Sequence, residues 1–236
     1  MRVAAISDIH GNLPALEAVL ADIDSEGIEE IVVVGDTVSG PWPDEVFDLL
    51  DARGARHVRG NADRLVLSGE EGAIGDWSAH RLGDRRSAVA AWPLTLDVVV
   101  EGLGSVLICH ATPTSDEPIY TRVTPDEDVA RLFAGVEADV VVCGHTHIQY
   151  DRTLATGLRI INPGSVGMPY EGRRGAFWAV LGPDVEHRST EYDIEAAAAA
   201  MRERDAPNVE EQLITFLLEP RDPSDVTAYF ETLRAA

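Results

Sequence analysis

The sequence predicts an α/β fold of two mixed sheets flanked by helices, and three observations carry that expectation. Short apolar runs recur along the chain, each ending in Gly, Asp, Asn or His. Helix signals separate several of these runs, which is the pattern of strands with parallel neighbours. Two further pairs of runs lie too close together for a crossover and read as hairpins.

The runs are residues 2–6, 31–34, 55–59, 105–109, 139–143 and 158–161, read as buried strands with a polar turn after each. Asn12 is placed to cap a helix whose apolar face is Leu13, Leu16, Val19, Leu20 and Ile23, with Gly27 ending it. Pro43 starts a second helix running to about Ala52, and Thr124-Pro125-Asp126-Glu127 reads as a capping box opening a third. Thr95–Val100 with Gly104–Cys109, and Ala176–Leu181 with 186–192, are the two hairpins, the second turning at Gly182-Pro183-Asp184. They make mixed sheets a better fit than one doubly wound sheet. Residues 64–92 read as helix without clean periodicity. The tail from Ile194 is helical as well, with 196–200 a run of strong helix formers and caps expected at Asn208 and Asp222. These divisions predict a domain over 1–192, in which 64–92 is a helical cap insertion, and a helical extension over 193–236 packed on it.

Composition narrows the function. The chain has 41 acidic and 19 basic residues, a net charge of −22, and every basic residue is arginine. Such a surface repels nucleic-acid phosphates, so a long nucleic acid is not an expected partner. The start of the chain lacks the apolar stretch of a secretory signal and no run approaches the ~20 residues that span a bilayer, so a cytoplasmic protein with no membrane partner is expected. Cys109 and Cys143 end apolar runs without a C-x-x-C spacing and read as buried core thiols.

Five strand ends each deliver a metal-competent group: Asp8 and His10, Asp36, Asn61, His110, then His145 and His147. One such residue means little, since a lone histidine is more often a loop or core residue. Five together point to a common rim, because the carboxyl ends of strands converge in layered α/β folds. Carboxylate, imidazole and amide oxygen suit Mn²⁺, Fe²⁺ or Zn²⁺. Seven candidates are too many for one tetrahedral zinc but suit two metals ~3.5–4 Å apart that share a carboxylate. Other metal hydrolases fit less well: His145-Thr146-His147 is followed by Ile148, Gln149 and Tyr150 rather than by x-D-H, and H-E-x-x-H, G-x-S-x-G and P-loop motifs are absent from the sequence.

The order of these motifs resembles that of the calcineurin-like metallophosphoesterases. It reads here as Asp8-Ile9-His10, Gly35-Asp36, Gly60-Asn61, His110 and Gly144-His145-Thr146-His147. Asn162-Pro163-Gly164-Ser165-Val166-Gly167 is similar to the segment closing the domain in the small bacterial and archaeal phosphodiesterase branch. The resemblance covers about residues 1–192 and implies a four-layer α-β-β-α sandwich. Matched by motif, Asp8, His10, Asp36 and His147 would bind one metal. Asp36, Asn61, His110 and His145 would bind the other, with Asp36 bridging. Manganese is the favoured ion, with iron, zinc or nickel as alternatives.

One position departs from the family pattern. Many members place a histidine, read as general acid or phosphate contact, directly after the asparagine, where this chain has Ala62. Asp63 matches the acidic position beyond it and is expected to orient a ligand. The expected catalytic set is therefore Asp36, Asn61, Asp63 and His110. His80 is a candidate substitute acid, while His57 and His187 read as structural or surface residues. Arg173 and Arg174 could clamp phosphate or simply sit in a solvated turn. The expected reaction is attack of a metal-bridging hydroxide on a small phosphate ester, with diesters or activated monoesters favoured because the acid is missing. A phosphomonoesterase, protein phosphatase or dinucleoside-polyphosphate hydrolase is the alternative within the class. A catalytically idle interaction module is the alternative outside it.

Overall fold

The computed structural model describes residues 2–234. Along the chain lie β1 (Val3–Ile6), α1 (Leu13–Ser25), β2 (Glu30–Val33), α2 (Pro43–Ala52), β3 (Arg56–His57), α3 (Asn61–Ser68), α4 (Ala73–Leu82), α5 (Arg86–Ala90), β4 (Thr95–Val100) and β5 (Gly104–Cys109). They are followed by α6 (Asp126–Leu132), β6 (Val140–Val142), β7 (Tyr150–Thr153), β8 (Arg159–Asn162), β9 (Ala176–Leu181), β10 (Val185–Thr190), α7 (Ile194–Glu203), α8 (Thr215–Leu218) and α9 (Pro223–Arg234).

The strands form two five-stranded sheets, ordered β10-β9-β1-β2-β3 and β4-β5-β6-β8-β7. Both are mixed. β1, β2 and β3 run parallel, as do β5, β6 and β8, while each hairpin adds antiparallel pairs. Side chains alternate across a strand, and this assigns the layers. In β1, Ala4 and Ile6 face the α1 and α2 side with Leu16, Val19 and Leu50. Val3 and Ala5 face the other sheet and meet Val106, Ile108 and Val142. The outer face of the second sheet, through Leu107, Val141 and Ile160, is covered by Val129 and Phe133 at α6. This is the four-layer α-β-β-α sandwich, with Cys109 and Cys143 buried and free in its outer core.

Several local expectations hold. Asn12 caps α1, accepting the N–H of Ala15 at 3.3 Å while donating to the Gly167 carbonyl at 3.0 Å. Residues 64–92 are helical, and Val66, Leu82 and Val89 bury a small core of their own with Val38. The tail packs back on the α1 side through Ala198, Met201, Leu213 and Leu217.

Other details differ. β7, with the sequence Tyr-Asp-Arg-Thr, is a strand that hydrophobic patterning does not reveal, because it lies at a sheet edge with one strand neighbour and only Tyr150 buried. The third strand shrinks to two residues. Thr124 does not cap α6; its hydroxyl accepts the N–H of Thr121 at 2.9 Å, and Pro125 occupies the N-cap. The turn after Asn208 is a π-helical segment, Glu210–Ile214, running into α8. Among the described residues no helix is long and apolar enough to cross a membrane.

Candidate metal centre

Parallel pairing brings the first two motifs together. Beyond the last strand pair the two segments stay hydrogen-bonded, with Asp8 N donating to Gly35 O, His10 N to Asp36 O and Gly11 N to Thr37 O, each at 3.0 Å. The second sheet repeats the arrangement, with Gly144 N donating to His110 O at 2.9 Å. The side chains turn onto one rim because the backbone turns left-handed there: φ is 52° at Asp8, 48° at His10, 51° at Asp36, 70° at His145 and 57° at His147. Non-glycine residues adopt that region at a cost of about 1–3 kcal/mol each, and such outliers cluster at functional sites. Two motif glycines have a related cause. A Cβ at Gly60 would collide with Asp36 Oδ1, and one at Gly144 would collide with Ser7 Oγ and crowd Asp8 Oδ2.

The structure brings all seven candidate ligands together. Asp8, His10, Asp36 and His147 can each offer an atom within 4.8 Å of the others, and so can Asp36, His110 and His145. Asn61 joins the second group, its Oδ1 2.9 Å from His110 Nε2. Asp36 belongs to both groups: its Oδ2 lies 3.8 Å from His10 Nε2 and 3.5 Å from His110 Nε2. Backbone carbonyls aim the rings. His110 Nδ1 donates to Val34 O at 2.8 Å and His147 Nδ1 to Met168 O at 2.7 Å, so both Nε2 atoms face the carboxylates. Tyr170 stacks on His147 with ring centroids 5.1 Å apart.

The charges are balanced in pairs. Burial raises the Asp8 and Asp36 carboxyls, but the imidazoles of His147 and His110 outweigh it and hold both below the ordinary range. Burial lowers His110 and His147, but the carboxylates dominate, carrying His110 to about 10 and His147 above its usual value. Both nitrogens of each ring face oxygen atoms. Burial lowers His10 and His145 to about 4 despite the carboxylates, leaving them neutral. Two carboxylates facing two imidazoles form a set that divalent cations can take over by displacing protons. The donor set, imidazole nitrogen with carboxylate and amide oxygen and without thiolate, fits divalent transition ions.

Asp63 is fully buried and holds this rim from behind. Its carboxylate accepts the N–H groups of Thr37 at 2.8 Å, Val38 at 2.9 Å and Gly60 at 3.1 Å. Burial, then the charge of Asp36, pushes its carboxyl up to about 7. The remaining candidates lie elsewhere. His80 is exposed on α4 and belongs to neither ligand group. His57 stacks on Trp92, and His187 faces Asn162 O at 2.9 Å. Arg173 packs over Phe177, and Arg174 is engaged by Glu195 and the Leu218 carbonyl, which matches the turn reading rather than a phosphate clamp. The buttressing roles of Met168 and Tyr170 have no sequence signal beyond their place after the Asn162–Gly167 segment.

Fold and donor set together define a metal-binding α/β sandwich protein with its candidate ligands on the strand-end rim. The chain belongs to the calcineurin-like phosphoesterase superfamily, whose family model matches residues 1–182. It is 32% identical to uncharacterized protein MJ0912 of Methanocaldococcus jannaschii, over 83% of this chain and 89% of that protein. Its fold matches the crystal structure of a metallophosphoesterase from Sphaerobacter thermophilus with a TM-score of 0.73 and 28% identity, covering 93% of this chain and all of the other (100%). Hypothetical protein PH1004 from Pyrococcus horikoshii OT3 shares the fold with a TM-score of 0.78 at 21% identity, covering 94% of this chain and 99% of its own.

Proposed function

We propose that the chain is a two-metal phosphoesterase that hydrolyses phosphodiesters or activated phosphomonoesters. The observation that carries this reading is the position of Asp36, whose Oδ2 faces His10 of one ligand group and His110 of the other. Asp8, His10, Asp36 and His147 would hold one ion, and Asp36, Asn61, His110 and His145 the second. Bound there, the ions would supply Lewis acidity that activates water and neutralises phosphate oxygens. The chain's own part is orientation. The Val34 and Met168 carbonyls hold His110 and His147 with Nε2 inward, Ala62 N–H fixes one oxygen of Asp36 at 2.8 Å, and Asp63 ties down the turns carrying Asp36 and Asn61.

The reading takes a small ester rather than a long nucleic acid as substrate, on the charge of −22. The complete ligand set supports an enzyme over an idle interaction module. The similarity to the Sphaerobacter thermophilus metallophosphoesterase points the same way. The test is to load the purified protein with Mn²⁺, count the bound ions, and measure turnover on phosphomonoesters, phosphodiesters and dinucleoside polyphosphates. Two ions per chain and chelator-sensitive diester hydrolysis are expected. A single bound ion, or turnover that survives excess chelator, would overturn the reading.

A further inference from the structure

On the His10 side the ligand groups open into a cleft of about 440 Å³, a size suited to a small organic group. Glu71 and Ile74, at the start of α4, form one wall; Val209, Glu211 and Phe216 of the C-terminal segment form part of the other. Neither wall belongs to the sheets, and the second lies outside the residues 1–182 that match the family. The C-terminal wall includes the π-helical segment Glu210–Ile214, a conformation found disproportionately at functional sites.

The lining chemistry is one-sided. Ile74 and Val209 are buried and Phe216 is half-buried, so an apolar surface faces the opening. The charged residues of the lining, apart from the imidazole of His10, are the carboxylates Glu71 and Glu211; among the described residues no arginine lines the cleft. Arg221 packs on the ring of Phe216 at 5.4 Å but lines the neighbouring depression with Tyr170 and Tyr229. An apolar group would gain by leaving water here, and a cation would meet carboxylates. An anion would be repelled by both carboxylates in a partly desolvated space.

We propose that this cleft binds the organic group of the phosphoester and selects uncharged or cationic groups over anionic ones. The assignment rests on the phosphoesterase reading and narrows it, since a polyphosphate chain directed into the cleft would be disfavoured. Ser39 Oγ donates to Glu71 at 3.2 Å, and burial followed by the charge of Asp36 pushes the Glu71 carboxyl up to about 7, so the ionised cleft is best read above that pH.

The experiment measures calorimetric affinities of the Mn²⁺-loaded protein at pH 8.5 for methylphosphonate, benzylphosphonate, 4-aminomethylbenzylphosphonate and 4-carboxybenzylphosphonate. The two uncharged or cationic benzyl compounds are expected to bind at least about tenfold more tightly than methylphosphonate, from apolar burial alone. The carboxylate is expected to gain nothing over methyl. Phe216→Ala should remove most of the benzyl advantage, and a Glu71→Gln/Glu211→Gln variant should raise the carboxylate toward the neutral compound. Equal affinities for all four, or tightest binding of the carboxylate, would overturn the proposal. Turnover is scored separately with bis-p-nitrophenyl phosphate. Its absence would count against the phosphoesterase reading while the affinity ranking still decides the cleft.

Discussion

Asp36 Oδ1 accepts the backbone N–H of Ala62 at 2.8 Å, while Oδ2 is directed toward His10 and His110. The residue that lacks an imidazole in the third motif therefore still serves the rim, through its main chain. Its methyl group is buried.

On the proposed two-metal reading, the shared position of Asp36 would make it the most sensitive ligand. Asp36→Asn removes a negative charge from both ion positions at once, whereas Asp8→Asn weakens one. Metal content measured by plasma emission should fall further for Asp36→Asn than for Asp8→Asn. kcat/KM should drop by on the order of 10³-fold, corresponding to several kcal/mol of lost stabilisation. Equal metal content in the two variants would contradict a shared carboxylate.

Asp63 acts at one remove. Its two oxygens accept three backbone N–H groups, and an asparagine amide can replace only one of those oxygens. The nitrogen left facing a backbone N–H would loosen either the Thr37 turn or the Gly60 turn. Asp63→Asn should cost roughly 10–100-fold in metal affinity or activity without abolishing binding. A variant matching wild type in both would show that the turns hold without the carboxylate.

The absence of an imidazole at position 62 has a kinetic signature. A positioned general acid contributes ~10²–10⁴-fold by protonating the leaving oxygen. Without it, kcat/KM across aryl diesters should depend steeply on phenol pKa, with alkyl esters turned over poorly. A shallow dependence would mean that another side chain donates the proton. Glu71, in the cleft beside His10, would be the first residue to replace, since His80 is exposed and does not line that cleft.

His57 gives a prediction independent of metal. Its ring lies flat on Trp92, with centroids 4.2 Å apart, and its Nδ1 is buried without a hydrogen-bond partner. Burial lowers its pKa from 6.5 to about 4. Between these values the unfolded chain binds a proton at His57 that the folded chain does not. This residue's contribution therefore makes stability fall as pH drops from 6.5 toward 4 and level off below. His57→Phe keeps a ring against Trp92 and should flatten that part of the stability profile in urea titrations between pH 7 and pH 4. An unchanged slope would assign the loss to other groups.

Much of the molecule was legible in the chain because its signals are local. Continuous apolar runs at 2–6, 105–109 and 139–143 mark buried strands. The polar groups after them mark turns, and parallel pairing of strands necessarily brings such turns to one edge. Those turns carry the seven candidate ligands. β7 escaped it because an edge strand needs little apolar surface, and the turn after Asn208 escaped because a single extra residue per turn leaves no compositional trace.

The sequence by itself determined which residues could serve as ligands and which strand ends would carry them. Only the tertiary structure decided that Asp36 Oδ2 lies between His10 and His110, that Asp63 spans the turns at Thr37 and Gly60, and that Glu71 and Phe216 face one cleft. The reason is physical. Backbone preference and alternation are encoded within a few neighbouring residues. The distance between side chains far apart in sequence depends on how sheets and helices pack, and no local pattern records that packing.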